Sequence, residues 1–382
     1  MEQEGRPVLA ICYDFDKTLS PDDMQAQGYI QKVGYDISEF WKKSNSLAAN
    51  NEMDQNLAYM FLMKTEAEGK IVFTKDTLAE YGSKVQLFPG VEGWFERIRK
   101  YGEEKGVTVE HYIISSGLKE MIEGTSVAKA GVFKKIYASS FYYNERGVAI
   151  WPAQVVNYTG KTQFLFRIEK GMLDVNDMGV NDSIPPEKMR VPFRNMVYIG
   201  DSDTDIPCMK LVNTYGGYSI GVYDAETCDK AKVYKMVRDH RIKYYAPADY
   251  RAGTKLDTLV RAIIDRTATN EKLEKEHFSC CKECADFDRN NSEDEKAKIN
   301  LTIALEDSRS FSRTHKIVEE LSKCFNWSDD DIDYLCEIAL RNDQIRYILR
   351  DMDIRRFYKK LLQGKRTFSK AEAEVKEIIE KD

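Results

Sequence analysis

The sequence predicts an α/β protein: a doubly wound parallel sheet with an inserted helical cap, followed by a C-terminal all-helical module. Three observations predict it. Short apolar runs (Val8 to Tyr13, Val107 to Ile114, Lys135 to Phe141, Asn195 to Ile199, Gly217 to Val222) alternate with helical patterns, as buried parallel strands do. The gap between Tyr13 and Val107 far exceeds the dozen or so residues that a crossover needs, so something is inserted there. From about Ile299 onward the pattern is helical throughout.

In chain order, Val8 to Tyr13 is continuously apolar and ends at acidic and turn residues, which reads as a buried strand. The insert, roughly Gln25 to Val85, carries helical spacings (Ile30, Val33; Leu57, Met60, Phe61, Met63) and reads as a mainly helical cap. After Leu87-Phe88-Pro89-Gly90 the chain returns, and Val91, Trp94, Phe95 and Ile98 mark a helix that should pack on the sheet. The Asn144-Glu145-Arg146-Gly147 turn suggests a hairpin. Helices are expected over Thr162 to Lys170 and Lys255 to Ile264. Between Lys161 and Asp201, Val180-Asn181-Asp182 and Pro185-Pro186 indicate an inserted surface loop.

The charged, polar stretch from Glu271 to Lys296 is the best domain boundary. The expected organisation is therefore a core of 1–20 and 87–270, a cap of 21–86 and a helical module of 271–382. In that module Ile317, Val318 and Leu321; Ile332, Leu335, Ile338 and Ala339; Ile345, Ile348 and Leu349; and Phe357, Leu361 and Leu362 form successive apolar faces. Ser328-Asp329-Asp330-Asp331 fits a helix start, and Ser369 to Asp382 a charged final helix or tail.

Composition narrows the function. A chain of 382 residues exceeds what one core usually serves, and 42% apolar with 31% charged residues is ordinary for a globular protein. The net charge of −6 lacks the basic excess of a nucleic-acid binder, and no run is long and apolar enough to span a bilayer. Glu2, Glu4 and Arg6 precede only a short apolar run, unlike a signal peptide. Cys12 sits in a core strand, and Cys208, Cys228, Cys324 and Cys336 are scattered, which suits a reducing cytosol and a cytoplasmic location. Cys280, Cys281 and Cys284 follow His277 closely, but no second ligand pair accompanies them, so they read as free thiols rather than a zinc site.

Four motifs carry chemistry. Asp14-Phe15-Asp16-Lys17-Thr18-Leu19 places two carboxylates at a strand's C-terminal end, where open α/β sheets bind ligands and where a hard divalent cation is attracted. Gly200-Asp201-Ser202-Asp203-Thr204-Asp205 repeats this after another strand, with Gly200 permitting close backbone approach. Ser115-Ser116-Gly117, at the end of the second strand, offers hydroxyls and amides suited to phosphate oxygens. Lys161, in Thr159-Gly160-Lys161-Thr162, supplies a cation. That string is no P-loop, because Val155 stands where the first glycine belongs.

In this order and context the four motifs resemble those of the haloacid dehalogenase superfamily, over about residues 7 to 270. The resemblance implies a Rossmann-like core and an Mg²⁺-dependent phosphatase acting on a small phosphorylated metabolite. It implies that Asp14 is the nucleophile, forming an aspartyl phosphate, and that Asp16 is the general acid/base. Asp14, the main-chain carbonyl of Asp16, and Asp201 would hold Mg²⁺. Ser115, Ser116 and Lys161 would bind the phosphoryl group, with Asp205 and Thr18 in support. The branch most resembled is the phosphoserine phosphatase-like one with a helical cap. There Asp23 matches an acidic substrate contact, but no arginine occurs between Pro7 and Glu96 to clasp a carboxylate. Within the cap Trp41, Tyr59, Phe61, Lys42, Lys43 and Lys64 are the residues available for substrate contact.

Two alternatives stand beside this reading. One is a phosphotransferase or phosphomutase using the same aspartyl phosphate. The other is an interaction or regulatory protein in which the C-terminal helices carry the main role, through a protein partner or self-association.

Overall fold

The computed structural model describes residues 5–227, 229–290 and 292–381. Cys228, Glu2 and Glu4 lie outside the described residues. By internal packing the chain divides into two compact units, Met1–Lys275 and Glu276–Asp382.

In the first unit, β1 (Val8–Tyr13) is followed by the helical insert: α1 (Tyr29–Lys32), α2 (Ile37–Asn50), α3 (Gln55–Ala67) and α4 (Lys75–Gly82). The chain returns through α5 (Val91–Glu104) to β2 (Thr108–Leu118), then α6 (Lys119–Gly124), α7 (Ser126–Lys129), β3 (Lys135–Tyr143) and β4 (Ala149–Gln154). The remainder is α8 (Thr162–Lys170), β5 (Met196–Gly200), α9 (Ile206–Thr214), β6 (Tyr218–Tyr223), α10 (Ala231–Arg238), β7 (Tyr244–Pro247) and the start of α11 (Lys255–Asn290). The strands form one seven-stranded sheet of order β4-β3-β2-β1-β5-β6-β7, parallel except for the β3–β4 hairpin.

The sheet forms because its central strands can be buried on both faces. All of Leu9 to Tyr13 in β1 and all of β5 are buried, so alternate side chains feed two separate apolar layers. One layer gathers Leu9, Ile11 and Tyr13 with Trp94, Phe95 and Ile98 of α5 and with the cap. The other gathers Ala10 and Cys12 with Phe164, Leu165 and Ile168 of α8 and Met209 and Val212 of α9. A hydrogen-bonded chain pins α5 to the sheet: Trp94 Nε1 donates to Tyr13 Oη (2.8 Å), which donates to His111 Nδ1 (3.0 Å), whose Nε2 faces the Phe95 carbonyl (3.2 Å). The neutral His111 tautomer with its proton on Nε2 satisfies every group in this chain.

Several expectations shift. β2 runs on to Leu118, so Ser115-Ser116-Gly117 lies within an irregular end of the strand, where the pairing with β3 slips between Ile114 and Leu118, and not in a loop after it. The sequence reading overlooked β7, a short edge strand rich in tyrosine. In α3 the buried positions are Asn56, Ala58, Tyr59, Met60, Leu62, Met63 and Ala67, whereas Phe61 is half exposed. The stretch between α8 and β5 is a loop with short single-turn helices. It is tied down by Arg167, whose guanidinium donates to the carbonyls of Asp174, Val175 and Asp177. The polar segment from Glu271 is helical up to Asn290, because a charged helix needs no apolar face when it is solvated.

The second unit continues with α12 (Glu293–Glu306), α13 (Phe311–Leu321), α14 (Asp329–Arg341), α15 (Asp343–Ile348), α16 (Met352–Leu362) and α17 (Lys370–Glu380). The apolar faces read from the sequence converge on one core containing Val318, Leu321, Leu335, Ile345, Leu349, Tyr358 and Val375. Serines cap α12, α14 and α17: the Ser292, Ser328 and Ser369 hydroxyls each accept a first-turn backbone N–H. Cys280, Cys281 and Cys284 are exposed free thiols, with Cys281 Sγ 3.7 Å from His277 Nε2. No helix of the described residues is long and apolar enough to cross a membrane.

Candidate active site

The site arises at the sheet's point of order reversal. β1 lies between β2 and β5, and the parallel register pairs Tyr13 with both Ile113 and Ile199. The residues after these positions therefore emerge side by side at the C-terminal edge of the sheet, where open α/β sheets bind ligands. Asp14 is locked there by its own amide, which donates to the Ile199 carbonyl (3.0 Å).

Asp14 Oδ1 accepts the Phe15 amide at 2.8 Å and lies 3.3 Å from Lys161 Nζ. Its Oδ2 has no hydrogen-bond donor among the described residues. Lys161 is fully buried and also donates to Asp205 Oδ1 at 2.7 Å. Asp205 is saturated: Oδ1 further accepts Tyr198 Oη (2.9 Å), while Oδ2 accepts the amide (3.1 Å) and hydroxyl (2.9 Å) of Ser202. Gly200 makes this possible, since a Cβ there would lie 2.6 Å from Asp205 Oδ2. Asp201 accepts from Thr18 Oγ1 at 3.4 Å and lies 3.6 Å from Lys232 Nζ.

Asp16 accepts the Met24 amide at 2.9 Å. A Cβ at Gly117 would sit 2.9 Å from Asp16 Oδ2, so glycine lets the Ser115 segment and Asp16 approach. Lys17, at φ 58, takes the left-handed conformation that turns the chain out of the site after Asp16. Ser115 is buried and its Oγ accepts the Gly117 amide at 3.0 Å, which leaves its hydroxyl proton free for a ligand. Ser116 Oγ is buried without a hydrogen-bond partner among the described residues. Asp14, Asp16, Ser115, Ser116 and Asp201 line one cavity of about 260 Å³, with Lys161 and Asp205 directly behind Asp14.

The electrostatics follow from crowding carboxylates out of water. Burial, then the neighbouring Asp205 charge, push the Asp14 carboxyl up to about 7, with Lys161 pulling the other way. Burial followed by Asp205 raises Asp201 to about 6, and burial followed by Asp23 and Asp14 raises Asp16 well above the carboxylate range. Burial works against a charged Lys161, but Asp14 and Asp205 outweigh it and hold the ammonium. The site thus carries more negative charge than its one buried lysine offsets.

Carboxylate oxygens of Asp14, Asp201 and Asp205 lie within 4.8 Å of one another, a spacing that could hold a metal ion. Because both Asp205 oxygens are already engaged, the oxygens left for a cation belong to Asp14 and Asp201. An all-oxygen donor set with surplus negative charge fits a hard divalent cation.

Residues that motif reading passed over complete the site. Tyr198 braces Asp205, Tyr250 Oη donates to the Thr18 carbonyl (2.8 Å), and Lys232 faces Asp201. Tyr198 had a sequence signal, since a tyrosine in a buried aliphatic strand needs a partner for its hydroxyl. Lys232 had none. Of the cap residues, Trp41 and Tyr59 line the cavity together with Gln25 and Asn56. Phe61 faces solvent, Lys43 pairs with Glu66 (2.7 Å), and Lys42 and Lys64 do not line it.

The fold and this arrangement define a doubly wound α/β protein with a carboxylate-centred site at the sheet's switch point. A family model described as haloacid dehalogenase-like hydrolase matches residues 11–210, more than half of the 382 residues. The chain belongs to the haloacid dehalogenase-like hydrolase family. An uncharacterized protein of Borreliella burgdorferi is 26% identical over 276 residues, covering 66% of this chain and 95% of that protein. Two solved structures are similar. A HAD family hydrolase from Salmonella enterica serovar Typhi shares 16% identity, with 68% of this chain and 72% of that chain covered and a TM-score of 0.45. A probable phosphoserine phosphatase from Vibrio cholerae shares 11% identity, with 70% and 67% covered and a TM-score of 0.44.

Proposed function

We propose that the protein is an Mg²⁺-dependent phosphatase that hydrolyses a small phosphorylated metabolite through an aspartyl phosphate on Asp14. The observation that carries this reading is the pairing of Asp14 with the buried Lys161 behind it, 3.3 Å apart, while Asp14 and a second carboxylate, Asp16, line one cavity. A nucleophile must be ionised and aimed, and Lys161 favours the Asp14 carboxylate while the Phe15 and Asp14 backbone amides fix its position.

Asp14 Oδ2, free of donors, attacks phosphorus. Asp16 has the complementary property: burial and the neighbouring Asp23 and Asp14 charges favour its protonated form, which suits it to deliver a proton to the leaving oxygen and then take one from the water that cleaves the aspartyl phosphate. The Ser115 and Ser116 hydroxyls and Lys161 offset charge on the transferring oxygens. Asp205 positions Lys161, and Thr18 orients Asp201. Asp14, the Asp16 carbonyl and Asp201 would hold Mg²⁺, which when bound supplies charge stabilisation to the phosphoryl group.

The test is phosphate release from phosphorylated metabolites with Mg²⁺ or EDTA, using wild type and Asp14→Asn. Metal-dependent release that vanishes in the variant supports the reading. Transfer of the phosphoryl group to a second metabolite, with no inorganic phosphate formed, would place a phosphotransferase ahead of it.

A further inference from the structure

The cavity has two unlike walls. The sheet side supplies the charged groups described above. The cap side supplies Asp23, which is paired with Lys17, and four uncharged residues, Gln25, Trp41, Asn56 and Tyr59. Two of these four are already engaged: Tyr59 Oη donates to the Ser116 carbonyl (2.8 Å) and Asn56 Nδ2 to the Val156 carbonyl (2.7 Å). The other two are not. Trp41 Nε1 is buried with no hydrogen-bond partner, and the Gln25 side chain, 2% exposed, has none among the described residues. Trp41 is held in place edge-to-face against Phe40 (5.5 Å) and Tyr59 (6.0 Å). An indole N–H can only donate, and a buried unmet donor is costly unless a ligand brings an acceptor.

The two lysines lining the cavity are already matched to carboxylates, Lys17 to Asp23 at 3.0 Å and Lys232 to Asp201 at 3.6 Å. Among the described residues, no arginine lines the cavity. A substrate carboxylate would therefore meet no unmatched cation at the wall, and a substrate ammonium would have to displace Lys17 from Asp23. The volume, about 260 Å³, falls just below the roughly 300–1,000 Å³ typical of ligand pockets, so the occupant is small.

We infer that the substrate is a phosphomonoester of a small uncharged alcohol whose hydroxyl or carbonyl oxygens accept hydrogen bonds from Trp41 and Gln25. The inference rests on the phosphatase reading for the sheet wall and adds the chemistry of the leaving group. Trp41 and Gln25 are specificity-determining residues here, and Lys17–Asp23 is the ion pair that closes the mouth to zwitterions.

Two measurements test it. In the first, kcat and KM are compared for glycerol phosphate, O-phosphoserine, phosphoglycolate and phenyl phosphate. Glycerol phosphate should exceed both charged esters in kcat/KM by at least about 10-fold, because an unpaired buried charge is strongly disfavoured. Trp41→Phe keeps the ring but loses the donor, and should raise KM for glycerol phosphate roughly 3- to 10-fold, with a smaller effect on phenyl phosphate, which lacks a further acceptor. In the second, glycerol phosphate and O-phosphoserine are titrated into folded Asp14→Asn protein and binding is read from tryptophan fluorescence, so that affinity is seen without turnover.

Equal or better handling of either charged ester overturns the inference, as does a Trp41→Phe variant with unaltered discrimination. If the wild type releases no phosphate even from phenyl phosphate, it is the phosphatase reading that fails. The titration then decides the inference alone: tighter binding of glycerol phosphate supports it, and equal or no binding overturns it.

Discussion

The sheet wall and the cap wall of the cavity are built on opposite principles. On the sheet wall the charged groups behind Asp14 hold one another: Asp205 accepts four hydrogen bonds, and Lys161 bridges it to Asp14. On the cap wall the side chains other than Asp23, which is paired with Lys17, are neutral, and Trp41 and Gln25 are left unmatched among the described residues. The difference teaches where each part of the proposed function resides. Charge that must not move during reaction is anchored on strands, whereas recognition is left to groups that wait for a partner.

The comparison can be broken most forcefully at Asp14. Replacing it with asparagine should lower turnover on the order of 10⁴-fold or more, measured as phosphate release, because the proposed nucleophile is lost outright. Asp16→Asn should cost about 10²- to 10⁴-fold and flatten the limb of the pH–rate profile that reports a protonated acid.

The anchoring itself is tested by Lys161→Met in EDTA. Removing the buried ammonium leaves Asp14 and Asp205 facing each other uncompensated, and should destabilise the protein by about 3–5 kcal/mol in denaturant unfolding. Adding Asp205→Asn should return part of that loss, so the two changes should not be additive.

A smaller effect tests the layer beneath the sheet wall. Burial pushes His111 down to about 3, from an ordinary 6.5. Between those values the unfolded chain binds a proton that the folded protein refuses. The stability that the neutral ring contributes is therefore complete above pH 6.5 and is lost as the pH falls, by about 1.4 kcal/mol per unit, or about 2 kcal/mol at pH 5. His111→Gln should remove much of that slope when unfolding is followed against pH. The smallest change expected is on the cap wall: Tyr59→Phe, which deletes the hydrogen bond to Ser116, should cost about 1 kcal/mol in stability.

Much of the sheet side was legible in the sequence because its information is local. An apolar run followed by Asp14-Phe15-Asp16, and another followed by Gly200-Asp201, announce carboxylate-bearing strand ends by residue type and adjacency. The helical faces of the second unit were legible for the same reason: Ile332, Leu335, Ile338 and Ala339 repeat at helical spacing, and all four are buried. The capping serines likewise act on amides two or three residues away.

Other features could not be read this way. That Ser115 lies within β2, that Tyr198 braces Asp205, and that Trp41 and Gln25 face the same cavity as Asp14 all depend on contacts between distant segments. A tryptophan in an amphipathic helix is usually core, and nothing local to Trp41 marks its N–H as unmatched. The sequence by itself determined the strand ends, the carboxylates that follow them and the helical insert, because residue type, periodicity and neighbours within a turn decide those. Only the tertiary structure decided which charges neutralise one another and which donors stay free, because matching a buried polar group depends on whatever the fold brings within about 3 Å of it.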